Sequence, residues 1–110
     1  MKPHLHHAAL NVADLDWYAA FFRETFAMEV RRTSGEAPNR KIWFSEGIQL
    51  NECPDAAAAG GACDHISLAV PDVPAFVAAA LKAGCTPLPQ GAHWFALPNG
   101  VRMELVPDAG

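Results

Sequence analysis

The chain has 110 residues, of which 51% are hydrophobic and 18% are charged, and its formal net charge is -4. That length fits one ordinary domain, or two half-size modules that share a core, and excludes a TIM barrel, a kinase or a nucleotide-binding domain with a separate substrate domain. The eight Lys and Arg residues are scattered, so the sequence shows neither the basic stripe of a nucleic-acid binder nor the polybasic segment of a membrane tether.

The sequence gives no sign of export or of membrane insertion. No apolar run approaches the length of a membrane span, and the first seven residues lack the apolar stretch of a signal peptide. We therefore expect a cytoplasmic protein that binds neither nucleic acid nor membranes. The three cysteines are odd in number and form no CxxC motif, so free thiols are the simplest interpretation, with a thiol nucleophile as the alternative.

An internal repeat is the strongest organisational signal in the sequence. Residues 7–15, HAALNVADL, resemble residues 65–73, HISLAVPDV. Later in each half a Trp-Phe pair, at Trp43 and at Trp94, precedes a glycine and a further alternating segment. The repeat predicts a single domain over 1–110 that consists of module one at 5–53, a linker at 54–63 with its joint near Ala56–Gly61, and module two at 64–107.

Module one is predicted to contain a strand, a helix and three further strands. Residues 5–12 alternate between apolar and other side chains, which predicts a strand. Asp14 is a plausible helix N-cap, and apolar residues at helical spacing then predict an amphipathic helix over 15–26. The three further strands are expected at 29–33, 41–45 and 48–53.

Module two repeats the same order of elements. A strand over 64–70 leads to a cap at Asp72 and a helix that Gly84 ends. Asn99-Gly100 is a strong hairpin signal between the last two strands. The remaining strands are expected at 86–89, 93–97 and 101–106, the first of these being the least secure because it contains two prolines.

Side-chain alternation places one polar residue at an equivalent point of four strands. His7 and His65 lie on the first strands of the two modules, and Gln49 and Glu104 lie on the fourth. If the halves pair to form a cup, two imidazoles, an amide oxygen and a carboxylate meet there as a set suited to a divalent ion. Taken singly, each residue is more often solvated or hydrogen-bonded, which is the interpretation we give to His4, His6 and His93.

Four segments resemble the vicinal oxygen chelate superfamily, which includes glyoxalase I, methylmalonyl-CoA epimerase, thiol transferases, extradiol dioxygenases and metal-free bleomycin-resistance proteins. They are 7–15, the helix end at 22–30, 64–70 and 98–105, and the resemblance extends from Leu5 to Pro107. It implies an α+β fold in which two βαβββ modules pair to form a curved, cup-like mixed sheet with helices outside. It also implies one divalent ion, Zn, Ni, Co, Mn or Fe(II), held by His7, Gln49, His65 and Glu104.

The resemblance implies a metal-dependent glyoxalase-like enzyme, namely an isomerase, lyase or epimerase. Such an enzyme acts on a small 2-oxo compound or thiol conjugate through a metal-stabilised enolate. Glu104 is then both ligand and catalytic base, and the substrate is expected to be anionic. The resemblance also implies a homodimer, with the cup built within one chain or from one module of each chain. The polar residues on the cup face that are candidates for binding the substrate are Asn11, Asn51, Ser67 and Arg102.

The same residues leave other functions open. An Fe(II) dioxygenase or a Mn-dependent thiol transferase needs only His7, His65 and Glu104, whereas a drug-binding protein needs no metal. A purely structural metal is a further alternative. The chain also departs from the superfamily: Ala27 replaces a frequent glycine, Leu97-Pro98-Asn99-Gly100 replaces the usual turn, and the segments that normally cover the substrate are short.

Overall fold

The computed structural model describes residues 2–55 and 61–108, and within them the chain forms two helices and eight strands. These elements belong to two compact units, one at His7–Asp64 and one that comprises Met1–His6 and His65–Gly110. The element order β-α-β-β-β occurs twice, so the predicted α+β class and the two βαβββ modules are confirmed. Residues 56–60 of the predicted linker lie outside the described residues.

The unit at His7–Asp64 has a mixed four-stranded sheet in the order β2-β3-β4-β1. β1 and β4 run parallel, while β3 is antiparallel to both β2 and β4. β1 begins at His4, three residues before this unit. His4 belongs to the same unit as Asp108, and its Nδ1 lies 3.7 Å from Asp108 Oδ2. The elements are β1 (His4–Val12), α1 (Leu15–Phe26), β2 (Val30–Ser34), β3 (Lys41–Phe44) and β4 (Ile48–Glu52).

Helix α1 covers the aliphatic face of this sheet. It begins after Asp14, whose carboxylate accepts a hydrogen bond from the Trp17 backbone N–H at 3.2 Å. The helix ends at Ala27, which adopts the left-handed conformation with φ of 55°. The predicted bounds of 15–26 are therefore confirmed. Its buried residues complete a core that consists of Val12, Leu15, Ala19, Phe44 and Leu50.

The second unit has its own mixed sheet in the order β5-β8-β7-β6. β5 and β8 run parallel, and β7 is antiparallel to β8 and β6. The core of this unit is formed by Val70, Phe95, Met103 and Leu105, with Val77 and Ala80 packed against it. The elements are β5 (Cys63–Val70), α2 (Val73–Ala83), β6 (Thr86–Pro87), β7 (Trp94–Ala96) and β8 (Arg102–Pro107).

The ends of these elements follow the sequence signals closely, with one exception. Asp72 caps α2 by accepting from the Ala75 backbone N–H at 3.1 Å. The predicted hairpin forms at Gly100, whose backbone N–H donates to the Leu97 carbonyl at 2.8 Å and whose φ is 91°. The exception is β6, predicted over 86–89, which comprises Thr86 and Pro87 only. Proline lacks a backbone N–H, so this segment sustains little pairing.

The model also gives the lengths of the helices and the state of the cysteines. Among the described residues, neither helix, at 12 and 11 residues, is long and apolar enough to cross a membrane. Cys53, Cys63 and Cys85 are free thiols.

Candidate metal centre

The polar residues predicted on the strand faces opposite the helices are withdrawn from solvent. Polar strand residues are commonly solvated, and burying them costs free energy unless hydrogen bonds or a ligand compensate. Their burial therefore identifies a polar interior that requires partners. The buried polar residues are His7, Asn11, Gln49, Asn51, His65 and Ser67.

His65 and Glu104 form a donor pair within the second unit. They lie on the parallel strands β5 and β8, and His65 Nε2 is 3.6 Å from Glu104 Oε1. Their side chains are only 8% and 18% exposed. Two donors that are each about 2.1 Å from one tetrahedral ion lie roughly 3.4 Å apart. The spacing and the N/O chemistry of this pair therefore fit a shared divalent cation.

A second imidazole faces the other oxygen of Glu104. His93 Nε2 lies 3.8 Å from Glu104 Oε2, and the His93 side chain is 44% exposed. A Cβ atom at residue 91 would lie 2.9 Å from His93 Cε1, so Gly91 leaves the room that this ring occupies. From the sequence, His93 was interpreted as a solvated or hydrogen-bonded residue, and its approach to Glu104 was not predicted. One feature could have predicted this approach: His93 precedes Trp94, which is the register partner of Glu104 in the β7–β8 pair.

Gln49, the predicted amide ligand, is held from both sides within the unit at His7–Asp64. The Trp43 indole Nε1–H donates to Gln49 Oε1 at 2.8 Å, and Gln49 Nε2 donates to Asn51 Oδ1 at 2.8 Å. Trp43 is the register partner of Gln49 in the β3–β4 pair. This role of Trp43 was not predicted from the sequence, although the Trp-Phe repeat is visible in it.

The hydrogen bonds continue from Asn51 across to β1. Asn51 Nδ2 donates to Asn11 Oδ1 at 3.4 Å, and Asn11 Nδ2 donates to the Gly61 carbonyl at 3.0 Å and to Asp64 Oδ1 at 3.3 Å. We call the linked side chains of Gln49, Asn51 and Asn11 the amide relay. The amides of Asn11 and Asn51, two of the predicted substrate-binding residues, are thus engaged with other groups of the protein.

His7 lies on β1, on the same strand face as Ala9 and Asn11. Ala9 is the register partner of Gln49 in the parallel β1–β4 pair. His7 and Gln49 therefore lie on the first and fourth strands of this unit's βαβββ module. His65 and Glu104 lie on the first and fourth strands of the module in the other unit. Each unit contains one buried imidazole and one oxygen donor of the predicted set.

Ser67 and Arg102 lie on the face of the second unit that carries the donor pair. Ser67 is 0% exposed and is the register partner of Glu104, and among the described residues its Oγ has no hydrogen-bond partner. Arg102 is half-buried and lies two residues before Glu104 on β8, which places both on one strand face. These two predicted substrate-binding residues therefore lie near the Glu104 carboxylate within the second unit.

No family model and no curated protein sequence matches the chain. Solved structures do share its fold. A methylmalonyl-CoA epimerase variant from Streptomyces coelicolor, in complex with 2-nitronate-propionyl-CoA, has a TM-score of 0.70 and 25% identity, covering 97% of this chain and 95% of that chain. A methylmalonyl-CoA epimerase in complex with methylmalonyl-CoA and ammonium has a TM-score of 0.72 and 24% identity, covering 100% and 97%.

A likeness at lower sequence identity extends to a larger protein. A 4-hydroxymandelate synthase mutant from Streptomyces coelicolor has a TM-score of 0.75 and 20% identity, covering 94% of this chain but 36% of that chain. Methylmalonyl-CoA epimerase is one of the enzymes named above for the vicinal oxygen chelate superfamily, so these structural neighbours agree with the resemblance in the sequence.

Proposed function

We propose that the protein is a metal-dependent epimerase or isomerase that removes a proton from the carbon next to a carbonyl group. The substrate class is a small 2-oxo compound or an acyl thioester such as a coenzyme A conjugate. The 25% identity with an epimerase that binds 2-nitronate-propionyl-CoA supports the thioester, and the buried donors support the metal.

The proposed ligands are the two donor pairs, His7 with Gln49 and His65 with Glu104. We propose that the two pairs complete one another around one ion, either within one chain or between two chains of a homodimer. A divalent ion, when bound, polarises a carbonyl oxygen and stabilises negative charge that develops on it. With three neutral donors and one carboxylate, the occupied site keeps a net positive charge, which favours an anionic substrate.

Side chains of the second unit carry out the proton transfer and bind the substrate in this proposal. Glu104 accepts the proton, as a carboxylate next to a carbonyl substrate can. Ser67 supplies a buried hydroxyl beside Glu104, and within residues 2–55 and 61–108 this hydroxyl has no hydrogen-bond partner. Arg102, on the same face, pairs in this proposal with an anionic group of the substrate. Asn11 and Asn51 act through Gln49 in this proposal, since their amides are already engaged.

The single observation that carries the proposal is the pair of His65 and Glu104. Both side chains are largely shielded from solvent, and His65 Nε2 lies 3.6 Å from Glu104 Oε1. An imidazole and a carboxylate lie at ligand spacing and are largely kept from solvent, and beside them is a buried hydroxyl that has no hydrogen-bond partner in the described part of the chain. This is the composition of a catalytic site rather than of an apolar core.

The test is exchange of the proton next to the carbonyl. The Co²⁺-loaded protein is incubated in D₂O with methylmalonyl-CoA and, separately, with the hemithioacetal of methylglyoxal and glutathione, and deuterium incorporation is followed by mass spectrometry. We expect incorporation into one of these probes above the spontaneous rate. Glu104→Gln should slow it by about 10²–10⁴-fold, since that is the usual contribution of a general base.

The matched control is Glu24→Gln, which makes the same chemical change on the exposed surface of α1 and should leave the exchange rate unchanged. Exchange that persists at the full rate in Glu104→Gln, or no exchange with either probe, would refute the proposed function. Oxygen consumption with the Fe²⁺-loaded protein would instead favour the dioxygenase alternative.

A further inference from the structure

The amide relay has a direction, and the groups at its two ends fix that direction. An amide side chain has an oxygen that accepts and a nitrogen that donates, and the two ends have nearly the same shape. A row of amides can therefore run either way unless its ends are restrained. In this chain both ends are restrained by groups that can play one role only.

At one end, Asn11 meets two groups that only accept. Its Nδ2 faces the Gly61 carbonyl oxygen at 3.0 Å and Asp64 Oδ1 at 3.3 Å. The nitrogen of Asn11 must point that way, so its oxygen is left to accept from Asn51. The same logic makes Asn51 Oδ1 accept from Gln49 Nε2.

At the other end, Gln49 meets a group that only donates. The indole Nε1–H of Trp43 has no acceptor capacity, and it lies 2.8 Å from Gln49 Oε1. The Trp43 ring is itself restrained, because the Arg32 guanidinium carbon lies 4.2 Å from the ring centroid. Both ends of the relay therefore demand the same orientation of the Gln49 amide.

We propose that Trp43 is a positioning residue: with the relay, it holds the Gln49 amide so that its oxygen, and not its nitrogen, is presented to a divalent ion. A carbonyl oxygen has two lone pairs, so the hydrogen bond from Trp43 leaves one for the ion. This inference rests on the proposed function for the ion, whereas the orientation of the amide is independent of it. Groups that orient metal ligands in this way commonly contribute 10–100-fold to metal affinity.

The orientation is tested in the metal-free protein by the NMR signals of its three indole N–H groups. The Trp43 signal is assigned from Trp43→Phe, and its hydrogen exchange is compared with that of Trp17, which is 55% exposed. We expect the Trp43 indole to exchange at least about tenfold more slowly than Trp17. Gln49→Leu should remove this protection and shift the Trp43 signal, while the control Gln90→Leu, on the exposed surface, should change neither.

The positioning role is tested by titration with Co²⁺. Trp43→Phe keeps an aromatic ring but removes the donor, and we expect its Kd for Co²⁺ to rise about 10–100-fold. Trp17→Phe removes the same N–H from an exposed indole and should leave the Kd unchanged. Asn51→Leu cuts the relay on the other side of Gln49 and should also weaken binding, which keeps the test valid if Trp43→Phe fails to fold.

The two proposals fail in different ways. Wild-type protein that does not bind Co²⁺ would refute the proposed function. Normal Co²⁺ affinity in both Trp43→Phe and Asn51→Leu, alongside loss of affinity in Gln49→Leu, would overturn the positioning role alone. A Trp43 indole signal that Gln49→Leu leaves unchanged would overturn the orientation itself.

Discussion

Trp94 lies directly opposite Glu104 in the antiparallel β7–β8 pair. The other unit repeats this relationship, because Trp43 lies opposite Gln49 in the β3–β4 pair. The duplicated sequence thus places an indole beside each oxygen donor. The two indoles act differently: Trp43 donates a hydrogen bond to Gln49, whereas the Trp94 ring packs edge-on against His65, with 4.7 Å between ring centroids.

The buried hydroxyl of Ser67 predicts an unusual gain in stability on truncation. Its Oγ is buried without a partner among the described residues, and an unpartnered buried polar group costs about 1–3 kcal/mol. Ser67→Ala should therefore raise the free energy of unfolding by about 1 kcal/mol, as measured by urea denaturation of the metal-free protein. Ser34→Ala, on the exposed strand β2, should change it by less than about 0.5 kcal/mol. A clear loss of stability in Ser67→Ala would contradict this account of the hydroxyl.

Ala27 predicts a second stabilising substitution. It ends α1 with φ of 55°, a conformation that costs an L residue about 1–2 kcal/mol but costs glycine little. Ala27→Gly should raise the free energy of unfolding by about 1 kcal/mol. Ala79→Gly, in the interior of α2 on its exposed side, is the matched control and should lower it by about 0.5–1 kcal/mol. Equal losses in the two variants would show that the helix end is not strained.

The ion pair of Arg40 and Glu52 predicts a pH dependence of stability. Arg40 Nε and Nη2 donate to the two oxygens of Glu52 at 2.9 and 2.7 Å. These hydrogen bonds lower the pKa of the Glu52 carboxyl below its ordinary value of 4.5. Just below that value the unfolded chain binds more protons than the folded one, so stability rises with pH there. The contribution is complete above pH 4.5 and is lost as the pH falls through the lowered pKa.

Glu52→Gln removes the titrating group and should flatten this dependence. We expect the difference in thermal midpoint between wild type and Glu52→Gln to be largest above pH 4.5 and to shrink as the pH falls below that value. Glu24→Gln, on an exposed residue, provides the comparison. A difference that stays constant over this range would mean that the ion pair does not lower the pKa of Glu52.

Much of the fold could be predicted because its signals are local. The bounds of α1 follow from the cap at Asp14 and the apolar spacing after it, and the last hairpin follows from Asn99-Gly100. β6 could not be bounded in this way, since pairing of a proline-containing segment depends on the neighbouring strand. Alternation also identified which strand faces carry His65, Ser67 and Glu104.

The contacts that the site residues make could not be predicted from the sequence. Alternation says which face a side chain occupies, but not which atoms it meets across a sheet. The bond from Trp43 to Gln49 depends on the β3–β4 register, and the approach of His93 to Glu104 depends on the space left by Gly91. Asn11 and Asn51 are predicted to bind substrate, and the hydrogen bond that joins their amides in the relay could not be read from the sequence.

The most direct test of the central claim is elemental analysis of protein purified without added metal. Wild-type protein should retain about one divalent ion per site, and His7→Ala and Glu104→Ala, measured separately, should each lose most of it because each removes one of the four proposed donors. His4→Ala, which changes an exposed imidazole, should retain the wild-type content. Undiminished metal in both His7→Ala and Glu104→Ala would contradict the claim that these side chains hold an ion.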